Sequence, residues 1–314
     1  RALEDAGIPH PRAVGLIETR EESGSNDLEH YLKKNAARFG SPRLVCVLDS
    51  GAGNYEQLWL TSSLRGACAI DLNVRVLRQG MHSGTASGVV PSSFDVLRIL
   101  LDRIQDPRTG AILDPAFNVE IPSNRMDDLK KTAEVLGDGF ISEFPWAEGP
   151  NGSVQSRCRG TEEALIARCW KPTLSVTGAA GLPPLSMAGN SLRSDTTLRL
   201  SFRLPPTAKT ENILPALQKK LLTDPPFNAV VSIAGGDALP GWNAPSEADW
   251  FRSACDESSK ALWGKPAMRI GEGGSIPILN LFEAQFPRAQ FAVTGVLGPG
   301  SNAHNADESL DLAY

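Results

Sequence analysis

Two different strand patterns share this chain, and their order constrains the fold more than any other feature. Arg43-Leu44-Val45-Cys46-Val47-Leu48-Asp49 is a continuous apolar run, and Gln290-Phe291-Ala292-Val293-Thr294-Gly295-Val296 is another. Runs of this kind predict strands buried on both faces, as in a parallel sheet. Between them, Ala69-Ile70-Asp71-Leu72-Asn73-Val74-Arg75-Val76 and Thr197-Leu198-Arg199-Leu200-Ser201-Phe202-Arg203 alternate apolar and polar side chains. Alternation predicts strands with one wet face, the habit of antiparallel sheets. Thr173–Thr177 and Ala229–Ile233 read as two more strands of that block. Its helices are expected at Ile213–Leu221 and after a cap at Ser92 or Ser93, with Phe94, Leu97, Leu101 and Ile104 on one stripe.

An alternating block enclosed by a continuous-run block predicts an α/β domain, with a mainly parallel sheet and flanking helices, interrupted by an inserted α+β sandwich. The boundaries fall at residues 1–61 and 239–314 for the first domain and 62–238 for the second. Residues 106–165, rich in Pro, Gly and charge, read as an irregular excursion of the insert. In the first domain, Ala13–Glu18 reads as a strand and Asn26 or Asp27 as the cap of a helix carrying Leu28, Tyr31, Leu32 and Phe39, stopped by Gly40. With Arg43–Asp49 this is a βαβ unit. Ser246 is expected to cap a helix with Glu247 and Asp249 in its first turn, ending near Gly264. The chain opens without Met, inside what reads as a helix end at Arg1–Gly7. That pattern predicts a truncation or a further leading segment, with a start exposed by processing as the alternative.

Composition removes several classes of function. The 314 residues are 41% apolar and carry a net charge of −5, without a basic block or basic stripe. Nucleic acid is therefore not an expected partner. No apolar run approaches the roughly 18 residues of a membrane span, and no signal peptide is visible. The five cysteines (Cys46, Cys68, Cys158, Cys169, Cys255) are odd in number and scattered. Reduced thiols in a cytoplasmic protein are the simplest reading, with a secreted protein bearing a free thiol as the alternative.

Three polar clusters follow apolar strands. Glu21-Glu22-Ser23-Gly24-Ser25 follows the first, Asp49-Ser50-Gly51 the second, and Gly298-Pro299-Gly300-Ser301-Asn302-Ala303-His304-Asn305 the last. In an open parallel sheet, ligands bind beyond the carboxyl ends of the strands. The clusters would then converge on one crevice, where carboxylates and an imidazole suit a divalent metal such as zinc. A spare carboxylate of the Glu21-Glu22 pair could take a proton from an attacking water. Taken singly, each cluster has a plainer reading. The Glu pair is solvated surface, Asp49 a turn cap, and His304 a surface residue in a glycine-rich loop.

Thr19-Arg20-Glu21-Glu22-Ser23-Gly24-Ser25 closely resembles the EESGS motif of the carnosinase, aminoacylase and glutamate-carboxypeptidase family of zinc metallopeptidases. Leu48-Asp49-Ser50, Gly80-Met81-His82-Ser83-Gly84, Gly271-Glu272-Gly273-Gly274-Ser275-Ile276-Pro277 and the loop ending in His304 match further family motifs in order. The resemblance is nearest to the carnosinase-like dipeptidases and covers essentially the whole chain.

The resemblance implies a homodimeric hydrolase of short peptides or N-acyl amino acids with two zinc ions per subunit. It implies Glu21 as general base, Glu22 and His304 as ligands of one zinc, and Asp49 as a ligand of the other. His82 corresponds to a histidine that crosses the dimer interface to stabilise the oxyanion of the tetrahedral intermediate. Arg203 corresponds to the arginine that holds the substrate's terminal carboxylate. Asn190 and Ser275 fall where the family has polar substrate contacts. The family's remaining ligands, a His in an HxD segment and a bridging Asp, lie upstream of the Glu-Glu motif. His10-Pro11 lacks an Asp two positions on and does not match. This departure leaves open a rival reading, an inert, shortened homologue that dimerises or binds ligand; the resemblance itself leaves open another, an N-acyl or N-succinyl amino acid deacylase, since some members of the family hydrolyse those bonds.

Overall fold

The computed structural model describes residues 2–314; Arg1, at the start of the expected helix end, lies outside the described residues. The central block folds as its alternation requires. A four-stranded antiparallel sheet has the order Val230–Leu239, Gly66–Arg75, Asp195–Leu204, Thr173–Ala180. In Gly66–Arg75 every second residue is buried, so Cys68, Ile70, Leu72 and Val74 face a dry core while Asp71 and Asn73 face out. Register pairs like with like: Ile70 lies opposite Leu200, and Leu72 opposite Leu198. Two helices, Ser93–Asp102 and Ile213–Leu222, cover one face and complete a single hydrophobic cluster with the sheet. Each fully buried Leu or Phe in it contributes about 1.5–3 kcal/mol relative to exposure.

The Ser92 hydroxyl caps the first of these helices by accepting from the Phe94 amide. Its buried stripe is Val96, Leu97, Leu100 and Ile104. Phe94, expected on that stripe, is instead exposed, because the buried face lies one residue round the helix from it.

Outside this sheet the strands pair in small parallel sets. Leu44–Leu48 pairs in parallel with Gln290–Thr294. Trp59–Leu64 pairs in parallel with Met268–Glu272, and antiparallel with the short Trp242–Asn243. Helix Ile278–Gln285 and the Leu28–Lys34 helix pack their apolar faces on Val47, Leu64, Phe291 and Val293. This mixed α/β architecture, parallel strands enclosing an antiparallel sheet with helices on one face, is the fold class expected from the two patterns.

Four local expectations need correction. Ala13–Glu18 forms no strand. Leu44–Leu48 is paired along one edge only among the described residues, so nothing lies where a further strand would need a partner, and Ile17 is 89% exposed. The expected helix after Asp27 breaks at Asn35, whose side-chain amide donates to the Tyr31 carbonyl and competes with the helical ladder. Asp27 occupies the N-cap position but makes no capping hydrogen bond. The helix expected after Ser246 begins at Asp249, with Ala248 as N-cap, because Glu247 is drawn to Arg269 (2.9 Å) and leaves the first turn. It does end at Gly264, which takes the left-handed conformation.

The fourth correction bears on the site. Residues 106–165 are irregular only in part. Helix Ser123–Leu136 and helix Thr161–Trp170 pack on each other and on strand Met268–Glu272. Thr132 donates to the Arg269 carbonyl at 2.8 Å, and the Cys169 thiol to the Gly271 carbonyl at 2.9 Å. A Cβ on Gly271 would meet Ser63 Oγ at 2.8 Å and Cys169 Cβ at 2.9 Å, so glycine is what lets helix and strand approach.

Candidate active site

The three polar clusters do converge. Glu21, Glu22, Asp49, Ser275 and His304 line one cavity of about 770 Å³. Each is delivered by a different local device. Glu21–Ser23 is a single 3-10 turn ended by Gly24 in the left-handed conformation, with the Gly24 amide returning to the Glu21 carbonyl. Asp49 follows directly on strand Leu44–Leu48. The neighbouring Ser50 backbone lies so close to Gly295 that a Cβ there would overlap the Ser50 carbonyl. The two parallel strands can therefore end side by side only because residue 295 is glycine.

His304 sits in a tight loop after Gln290–Thr294. Asn302 and His304 both have positive φ, 54° and 60°. Non-glycine residues held in this region cost of order 1 kcal/mol each, and such strain persists where surrounding contacts enforce it. Here the Tyr55 hydroxyl donates to the Pro299 carbonyl, the His304 amide donates to the Glu308 carboxylate, and the Ser309 amide returns to Ser301.

The electrostatics follow from the crowding of carboxylates. Burial pushes the Glu21 carboxyl above its ordinary value, and Asp49, Glu22 and Glu18 add to the shift while His304 opposes it. The Asp49 carboxyl rises for the same reasons, burial first and then Glu22, again opposed by His304. Concentrated negative charge beside an imidazole favours a cation. His304 Nδ1 and Glu22 Oε1 lie 3.9 Å apart, within the span of two donors to one ion. The donor chemistry thus fits a divalent metal. Among the described residues, however, these groups do not form a set of three or more that would hold an ion unaided.

The cavity and its surroundings also carry residues that the motifs alone did not single out. Arg168, near the end of helix Thr161–Trp170, pairs with Glu272 at 3.1 Å. Burial alone would lower the Arg168 guanidinium, but Glu272 and Cys169 outweigh it and hold it above its usual value. Arg65 is pushed down to about 10 by burial, with Arg203 and Arg168 nearby working in the same direction and Cys169 against it. The Ser275 hydroxyl donates to the Arg65 carbonyl (2.5 Å) and accepts from Arg203 (3.2 Å). Arg203, the expected carboxylate contact, and Ser275, an expected polar substrate contact, are therefore neighbours; Ser275 lines the cavity, and Arg203 reaches Ser275 without lining it.

His82 and Asn190 lie elsewhere. The two-residue strand Met81–His82 pairs with Ser191–Leu192, and the Ser83 amide donates to the Asn190 carbonyl at 2.9 Å. Both side chains are exposed, and neither lines the cavity. The Arg168 helix was within reach of sequence, since Leu165 and Cys169 sit four apart on one face, but the Pro, Gly and charge around it masked the period.

No protein-family model matches the chain. It is 25% identical over 304 residues to a cysteinylglycine-S-conjugate dipeptidase of Corynebacterium striatum, covering 94% of this chain and 62% of that protein. It is 26% identical over 322 aligned positions to a Cys-Gly metallodipeptidase of Schizosaccharomyces pombe, covering 99% of this chain and 65% of that protein. The chain thus spans just under two thirds of the length of these relatives. In fold it is similar to the dipeptidase Dug1p of Saccharomyces cerevisiae, with a TM-score of 0.74 at 22% identity over 94% of this chain and 61% of that one. In sequence the chain is thus similar to these metallodipeptidases, and in fold to the solved dipeptidase; the five ordered motifs and the cavity that gathers most of them agree with that likeness.

Proposed function

We propose that the protein hydrolyses a peptide or amide bond in short peptides or N-acyl amino acids, with two zinc ions at the cavity lined by Glu21, Glu22, Asp49 and His304. The observation that carries this reading is the convergence of those four side chains, from three separate segments, in one cavity with Ser275, which Arg203 contacts. Glu22 and His304 hold one ion and Asp49 the other, completed by donors outside this set. Bound zinc supplies a Lewis acid for the scissile carbonyl.

The protein's own groups do the rest. Glu21 is the general base: it takes the proton of the attacking water and passes it to the leaving amine. A carboxyl raised by burial and by its acidic neighbours is suited to hold that proton. The Arg203 fork and the Ser275 hydroxyl receive the substrate's terminal carboxylate. His82 and Asn190, exposed and away from the cavity of their own chain, act on the site of a second subunit. There His82 donates to the developing oxyanion. This makes residues 62–238 a lid and dimerisation domain, and residues 1–61 with 239–314 part of the catalytic domain, in a cytoplasmic homodimer.

Glu21→Gln in the full-length, zinc-loaded protein should lower kcat by about 10²–10⁴-fold, the usual contribution of a general base, with little change in KM. An unchanged kcat would remove Glu21 from the mechanism. A second reading, an inert homologue that binds ligand without hydrolysis, is favoured by the donor count among the described residues. Metal analysis separates the two: two zinc ions per chain exclude the inert form. Profiling N-acetyl and N-succinyl amino acids beside dipeptides separates a deacylase from a dipeptidase.

A further inference from the structure

One wall of the cavity is apolar and comes from the helical segment that sequence patterning hid. Leu136 ends helix Ser123–Leu136, and Phe140 and Phe144 follow it; all three line the cavity that holds the acidic cluster. Phe140 is buried and packs with Leu129, Leu165 and Trp170. Phe144 is not, and 47% of it is exposed. Its ring meets Phe140 edge-on at 6.0 Å and 84°, and Trp146 braces it at 5.8 Å. An aromatic ring held from two sides, with the rest of its surface on an active-site cavity, offers a large apolar side chain a place to leave water.

A chain of contacts tells which end of a substrate meets this wall. The Arg168 guanidinium lies 4.9 Å over the Phe140 ring and 3.1 Å from Glu272. Glu272 ends strand Met268–Glu272 three residues before Ser275, and Ser275 accepts from Arg203. The wall therefore borders the end of the cavity that receives the terminal carboxylate. Glu143, at the rim beside Phe144, opposes an acidic side chain there.

We propose that Phe144, backed by Phe140 and Leu136, is the subsite for the side chain of the substrate's carboxy-terminal residue, and that it selects a large apolar, above all aromatic, residue. The inference rests on the hydrolase reading and narrows its substrate class.

The test uses full-length, zinc-loaded protein and the series Ala-Gly, Ala-Asp, Ala-Leu and Ala-Phe, with L-phenylalanine and glycine titrated calorimetrically in parallel. The wild type should favour Ala-Phe over Ala-Gly in kcat/KM by about tenfold or more, the discrimination expected from partly burying an aromatic side chain. L-phenylalanine should bind more tightly than glycine by a similar factor. Phe144→Ala should collapse both ratios toward one, and Phe144→Leu should retain the preference for Ala-Leu. Turnover of the series with a preference for Gly or Asp, or ratios unmoved by Phe144→Ala, overturns the subsite and leaves the hydrolase standing. Absence of turnover across the series, with the phenylalanine preference intact in the titration, keeps the subsite and sinks the dipeptidase.

Discussion

The antiparallel sheet and the parallel pair Leu44–Leu48 with Gln290–Thr294 are both built from apolar strands, yet one is sealed and the other open. Leu72, Leu200 and Phe202 are fully buried, whereas Leu48 is 79% exposed and Leu44 also faces solvent. The alternating strands carry their own wet face, and the helices that cover the dry face come from the same stretch of chain. A continuous apolar run needs neighbours on both sides, and among the described residues Leu44–Leu48 has one. The carboxylates and His304 line a cavity that includes the carboxyl end of the open pair. The sealed core and the candidate site are thus carried by different sheets.

Substitutions can break or sharpen that division. Leu200→Ala should cost about 2–5 kcal/mol, because it leaves a cavity in a fully buried position, and thermal unfolding should show the whole loss. Gly295→Ala should cost about 1–3 kcal/mol or more, since the new Cβ overlaps the Ser50 backbone and forces the two parallel strands apart. Unlike Leu200→Ala, it should also weaken zinc binding by moving Asp49. Leu48→Ser, close by but exposed, should stay within about 0.5 kcal/mol of the parent chain and raise its solubility. Equal losses for Leu200→Ala and Leu48→Ser would erase the comparison.

A smaller effect probes the crowded acids. The Glu21 carboxyl is raised in the folded chain, so the native state holds its proton more firmly than the unfolded state does. Its ionisation opposes folding once pH rises through that raised value, and has no effect below the unfolded value. Glu21→Gln should therefore raise the Tm of the metal-free chain at pH 7 and leave it unchanged near pH 3. The smallest change is expected at the exposed Asp71–Arg199 pair on the wet face of the antiparallel sheet, where Asp71→Asn should produce no measurable shift.

How much of this was legible in sequence follows the same division. Gly66–Arg75 and Asp195–Leu204 could be read to within about three residues at their ends, because period-two burial is a local property. The Ala13–Glu18 strand could not, because an apolar hexamer becomes a strand only where a partner offers hydrogen bonds. The helices Ser123–Leu136 and Thr161–Trp170 were hidden by the prolines, glycines and charges around them, and with them went the Arg168–Glu272 pair and the Phe144 wall. The motif residues fared better. Glu21, Glu22, Asp49, Ser275 and His304 were each ambiguous alone, and it was their order along the chain that pointed to one site. What order could not reveal was that Arg203 meets Ser275 across 72 positions of chain.

The central claim, that this cavity is a metal-dependent site of peptide-bond hydrolysis, is tested most directly by measuring bound zinc and dipeptide hydrolysis on one preparation of full-length protein. Hydrolysis should rise in step with zinc content, disappear after prolonged dialysis against a chelator, and return when zinc is restored. Full activity in protein stripped of metal would contradict the account.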